Sequence, residues 1–93
     1  MAWGFISELP VTQAQYDEID AAVEDDPPGL ILHIGSRSPG GMRIIDIWES
    51  EADYRRFEQE EIVPALQRMG VPPPPDAPQP VEFEVHKLRG RAS

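Results

Sequence analysis

Residues 29–50, GLILHIGSRSPGGMRIIDIWES, decide how this chain folds. Gly29 opens an apolar run, Pro39-Gly40-Gly41 supplies turn residues and a second apolar run ends at Ser50, so the stretch predicts a β-hairpin. Side chains alternate between the faces of a strand, and a turn of two or four residues pairs odd positions of the first strand with even positions of the second. That register puts His33 on one face with Ile44, Asp46 and Trp48, and gathers Leu30, Leu32, Ile34, Ile45 and Ile47 on the other. One face is then wholly apolar. The other carries two acid–base groups where burial is expected.

Outward from the hairpin, the punctuation is clear. On the N-terminal side, Trp3 and Phe5 alternate in a short strand over 2–7 that Pro10 terminates. Thr12 and Gln15 have capping-box spacing, and Tyr16, Ile19 and Val23 then recur at helical intervals in a helix that must end by Asp26, because Pro27 and Pro28 follow. On the C-terminal side, Ser50 is a candidate N-cap, with Glu51 and Asp53 in the first turn where the helix dipole favours negative charge. The helix carries Tyr54, Phe57, Ile62, Leu66 and Met69. Its spacing slips after Phe57, and Pro64 reinforces a bend or break near Glu60-Glu61. Gly70 is a stop signal, the proline-rich stretch 71–80 reads as an extended connection, and Val81, Phe83 and Val85 alternate with Glu82, Glu84 and His86 in a last strand. A short tail, 89–93, completes the chain.

The order βαββαβ predicts an α+β, ferredoxin-like domain spanning 1–93: a four-stranded antiparallel sheet with two helices on one face. The His33, Asp46 and Trp48 face is expected to look toward the helices. The apolar face would then be bare. Five aliphatic side chains at roughly 1.5–3 kcal/mol each amount to about 10 kcal/mol, comparable with the whole stability of a small domain, so a homodimer joined through this sheet face is expected.

Composition excludes several classes of function. A net charge of −9 repels phosphate backbones and anionic lipid, which argues against nucleic acid and membrane partners. Lys87, Arg89 and Arg91 read as a solvated end. There is no cysteine, hence no disulfide or thiolate chemistry, and a cytoplasmic location fits. No run reaches the roughly 20 apolar residues of a membrane helix, and the opening AWGFIS lacks the basic lead of a secretory signal. No G-x-G-x-x-G segment marks a nucleotide cofactor. His33, His86, Asp46 and Glu49 do not form a tight ligand motif, so neither a bound cofactor nor a metal is expected.

GLILHIG, GGMRIIDIWES, YRRFEQEEIVPAL, the Gly-Val-Pro-Pro connection and a closing FEVHKL together resemble small members of the dimeric α+β-barrel superfamily, near the antibiotic-biosynthesis-monooxygenase-like proteins of secondary metabolism. The resemblance implies a ferredoxin-like protomer whose sheet packs on a partner's sheet, with a small-molecule pocket between each sheet and its own helices. It does not imply a single reaction, since the superfamily hosts cofactor-independent oxygenases, haem-degrading enzymes, isomerases and cyclase-like proteins. The chain contains no asparagine, whereas the quinone-forming and haem-degrading relatives commonly depend on one, and neither helix offers a histidine to ligate haem iron.

The candidate site therefore centres on His33 as proton acceptor. Asp46 on the same face needs a donor and would raise the basicity of the imidazole. His86 is a second candidate acid or base whose register sequence leaves open. Trp48, Ile31, Ile44 and Phe57 are expected to bind a small hydrophobic or aromatic ligand. Arg43, on the face opposite Asp46, is expected in a surface or dimer-edge ion pair. Three readings follow: a small dimeric enzyme on an aromatic or polyketide-like molecule, resembling cofactor-independent monooxygenases; a cyclase or isomerase using the same proton removal; and a non-catalytic binding or scaffold dimer. A separate possibility is a dimer with no ligand, its pocket filled by Trp3, Trp48, Phe57 and Met69.

Overall fold

A computed structural model describes residues 2–71 and 79–90. Strand β1 (Trp3–Leu9) leads to helix α1 (Gln13–Ala21), then to the hairpin of β2 (Leu30–Ser38) and β3 (Gly41–Trp48). Helix α2 (Glu51–Phe57), a π-helical turn (Glu58–Ile62) and helix α3 (Val63–Met69) run on continuously, and β4 (Val81–Glu84) closes the sheet. The sheet order is β2-β3-β1-β4, with β1 antiparallel to both neighbours and β2 antiparallel to β3. This is the ferredoxin-like α+β arrangement expected from the element order.

Local chemistry accounts for the boundaries. Thr12 and Gln15 form a reciprocal capping box at the start of α1. The helix stops at Ala21, leaving Val23 outside it; there is no basic residue in its last turn, and Glu24, Asp25 and Asp26 would set negative charge against its terminal carbonyls. The Ser50 side chain accepts from the Asp53 N–H at the start of α2. The slip after Phe57 is a π-turn rather than a break: the Val63 N–H reaches the Glu58 carbonyl, and Pro64, which has no N–H, follows in the first turn of α3. Gly70, in a left-handed conformation, caps α3. The proline-rich connection expected over 71–80 falls largely on 72–78, outside the described residues, as does 91–93 of the tail.

The hairpin turn is two residues long, since Ser38 pairs with Gly41, and His33 lies directly opposite Asp46. The inner, helix-side face of the sheet carries Trp3, Phe5 and Ser7 on β1 and Ile44, Asp46 and Trp48 on β3. One expectation is corrected. The register shifts between Leu30 and Leu32, so Leu30 opposes Trp48 and packs against the inner core instead of sharing the outer face with Leu32. Ile31 is the extra residue of this β-bulge.

The outer face has two apolar rows crossing all four strands. Leu32, Ile47, Gly4 and Phe83 make one, and Ile34, Ile45, Ile6 and Val81 the other. Gly4 lets its row close up: a Cβ there would lie 2.8 Å from Ile47 and 3.0 Å from Phe83. Ile47 is thereby buried, so the bare surface is smaller than the sequence implied. Ile6, Ile34 and Val81 remain 37%, 40% and 64% exposed.

Candidate active site

Trp48 is the central core residue, with no exposed surface. Around it, Trp3, Phe5, Tyr54 and Phe57 fill the space between the sheet and α2, with ring centroids 4.7 to 5.7 Å apart in tilted or edge-on pairs. Burial raises the pKa of the Tyr54 phenol, whose hydroxyl donates to Glu58. These rings fill the space next to Trp48. Of the expected cavity wall, Trp48 and Ile44 are packed core, because aromatic side chains occupy the volume a ligand would need, while Phe57 is half-buried and lines a second open groove of about 200 Å3 with Pro27, Pro28 and Asp53.

Under α1 the inner face is polar. Asp46, only 5% exposed, accepts from the Trp48 indole N–H at 3.0 Å through Oδ2 and contacts His33 Nδ1 at 2.6 Å through Oδ1. His33 sits on β2, an edge strand, with a third of its side chain open to solvent. On its far side the Tyr16 hydroxyl of α1 lies 2.5 Å from Nε2. The two ring planes are within 2° of parallel, an orientation that allows the phenol to meet the Nε2 lone pair in the plane of the imidazole.

With Asp46 in its carboxylate form, these contacts set the proton positions. The indole is a donor only, so Oδ2 is an acceptor, and ionised Asp46 accepts the Nδ1 proton of His33 through its other oxygen. Neutral His33 then presents an unprotonated Nε2 to the Tyr16 hydroxyl. The hydrogen bond to Asp46 raises the His33 pKa above its ordinary 6.5, against the opposing effect of burial. Burial, with Asp20, Asp46 and Asp17 nearby, raises that of Tyr16, which keeps the phenol protonated. The chain from Trp48 through Asp46 and His33 to Tyr16 holds a base of enhanced strength in one tautomer.

Of the residues singled out in the sequence, His33, Asp46 and Trp48 are joined by hydrogen bonds, and Ile44 packs in the buried cluster beside Trp48. Ile31 is half-buried at the bulge. His86 is a correction. It lies just past β4, on the edge of the sheet opposite β2, three strand spacings or roughly 14 Å from the His33 edge. The sheet order excludes it from this site. Arg43 pairs with Glu8 at 2.9 Å on the outer face, as alternation required. No group of three or more histidine, aspartate or glutamate side chains among the described residues converges as metal ligands.

Tyr16 escaped the sequence reading because it fits the apolar stripe of α1. Gly35 was the available signal: a glycine within a strand, two residues beyond His33 on the same face, marks a close approach. A Cβ at Gly35 would lie 2.5 Å from the Tyr16 hydroxyl oxygen. Beside this contact an open groove of about 230 Å3 runs between α1 and the hairpin, lined by Gln13, Tyr16, Asp17, Gly35, Arg37 and Met42.

No protein-family model and no curated protein matches the chain. Among solved structures, a candidate antibiotic biosynthesis monooxygenase from Chloroflexus aurantiacus J-10-fl superposes with a TM-score of 0.72 at 16% identity, covering 97% of this chain and 98% of that one. No helix among the described residues is long and apolar enough to cross a membrane. The chain thus shares, over nearly its whole length, the α+β ferredoxin-like fold of this Chloroflexus protein.

Proposed function

We propose that this protein is a small homodimeric, monooxygenase-like enzyme acting on an aromatic or polyketide-like molecule without a bound cofactor, with His33 as the base. The observation that carries this reading is the hydrogen-bonded chain that grips His33 between buried Asp46 and Tyr16 on the inner face. Removing a phenolic or enolic proton gives a carbanion-like substrate able to react directly with dioxygen. On an anthrone the balance is a ring CH2 and O2 going to a ring C=O and water. The name of the Chloroflexus protein agrees with that chemistry.

The dimer reading rests on the two apolar rows of the outer face. A second copy laid sheet to sheet would cover Ile6, Ile34 and Val81, each a side chain whose full burial is worth about 1.5–3 kcal/mol. Sedimentation should find a dimer in the native protein and a monomer in Ile34→Glu. A native monomer would end this part of the proposal.

Oxygen uptake with an anthrone tests the chemistry. Consumption should be seen with the native protein and fall about 100-fold or more in His33→Ala. Turnover that continues unchanged under strict anaerobiosis would replace the oxygenase with the cyclase or isomerase. The filled aromatic core under α2 favours a second reading, a scaffold or binding dimer. In that case His33→Ala would lower stability and alter no turnover.

A further inference from the structure

We propose that the group facing the substrate is the Tyr16 phenol, relaying a proton to His33, and that the groove beside it takes a small neutral phenol or enol that ionises next to Arg37. The proposal rests on the proton-transfer reading above. His33 Nε2, the atom a simple base would present to substrate, is already occupied by the Tyr16 hydroxyl. Nδ1 is occupied by Asp46. A ligand therefore reaches the imidazole through Tyr16, whose oxygen keeps lone pairs beyond the proton it donates.

The groove agrees in position and in charge. Tyr16 and Gly35 belong to its wall, and a larger residue than glycine at 35 would strike the phenol. Arg37 follows His33 and Gly35 on the same face of β2, next to buried Met42, its register partner. Arg43, Arg55 and Arg56 are committed to ion pairs, whereas the Arg37 guanidinium makes none among the described residues. Asp17 lines the same groove, and Asp20 and Asp46 lie near Tyr16. These carboxylates and a net charge of −9 disfavour a ligand that arrives as an anion. A neutral hydroxyl compound that becomes an anion only against Arg37 fits both signs. At about 230 Å3, below the usual range of roughly 300–1,000 Å3 for enclosed sites, the open groove suits one ring of such a molecule.

The step balances without any other reactant. The substrate O–H breaks and its proton passes to the Tyr16 oxygen while the Tyr16 proton passes to Nε2. The bonding pair stays on the substrate oxygen, and His33 becomes an imidazolium against Asp46. Protonation of the product by the reverse route restores the site.

The test uses 4-nitrophenol with the intact protein, slightly below the pH at which the free phenol ionises. Binding is followed by backbone amide shifts and ionisation by phenolate absorbance. The native protein should bind the probe at Gln13, Gly35 and Arg37 with a rise in phenolate, and Arg37→Ala should weaken binding about tenfold. Tyr16→Phe should still bind but lose the phenolate signal. Gly35→Ala, which displaces the phenol without removing it, should do the same. Phenolate formation undiminished in both variants, or shifts that map elsewhere, would overturn the proposal. Oxygen uptake on an anthrone fails or succeeds separately: its absence beside an intact phenolate signal sinks the oxygenase and leaves the relay standing.

Discussion

The two halves of the inner face are built from similar strands and serve opposite ends. Under α2, Trp3, Phe5, Trp48, Tyr54 and Phe57 interlock into an aromatic core, and the indole N–H of Trp48 is turned to Asp46. Under α1, helix and edge strand meet through a hydrogen bond between Tyr16 and His33, and a groove stays open. In the first half the rings take up the space between sheet and helix, and in the second polar side chains span it beside an open groove. Asp46 stands on the boundary, bonded to one half by Oδ2 and to the other by Oδ1.

Substitutions in each half should therefore separate stability from chemistry. Trp48→Ala is expected to have the largest effect, about 3–5 kcal/mol in denaturant unfolding, from lost burial and the cavity left behind. A loss near 1 kcal/mol would show that the aromatic half is loosely packed. Asp46→Ala comes next, at about 2–3 kcal/mol, because it strands the Trp48 indole N–H and removes the charged partner of His33. It should also cut proton transfer, measured as the phenolate signal with 4-nitrophenol. A change in stability alone would assign Asp46 wholly to the core.

The smallest effect is a pH dependence. The folded pKa of His33 is raised above 6.5 by Asp46, so the pair's contribution is fully present below 6.5 and is lost as pH rises through the raised value. Chemical denaturation should show the native protein losing stability across that window, with His33→Gln flattening the profile. Activity should run the other way, increasing as His33 loses its proton. An unchanged profile in His33→Gln would detach the imidazole from the stability of this edge.

Much of this division was legible in the sequence. Element order and the Pro39-Gly40-Gly41 turn pointed to the sheet, and alternation put His33 on one face with Asp46, because register in a short hairpin is a local property; the direct pairing of the two is seen in the structure. The bulge at Ile31 was not legible, since one extra residue in a run of leucines and isoleucines leaves the pattern apolar in either register. Nor was the position of His86: a strand reached through a long proline-rich connection takes its place from the sheet order, not from its own residues. Tyr16 was hidden for another reason. A tyrosine on an apolar stripe signals burial through its ring, and only the structure shows where its hydroxyl ends.

The central claim is that His33 is a base held in one tautomer between Asp46 and Tyr16. The most direct measurement is a 15N NMR titration of the imidazole nitrogens, with His86 assigned by substitution. The account predicts Nδ1 protonated, Nε2 unprotonated in the neutral form, and a midpoint for His33 above 6.5. A proton resident on Nε2, or a midpoint at or below 6.5, would contradict it.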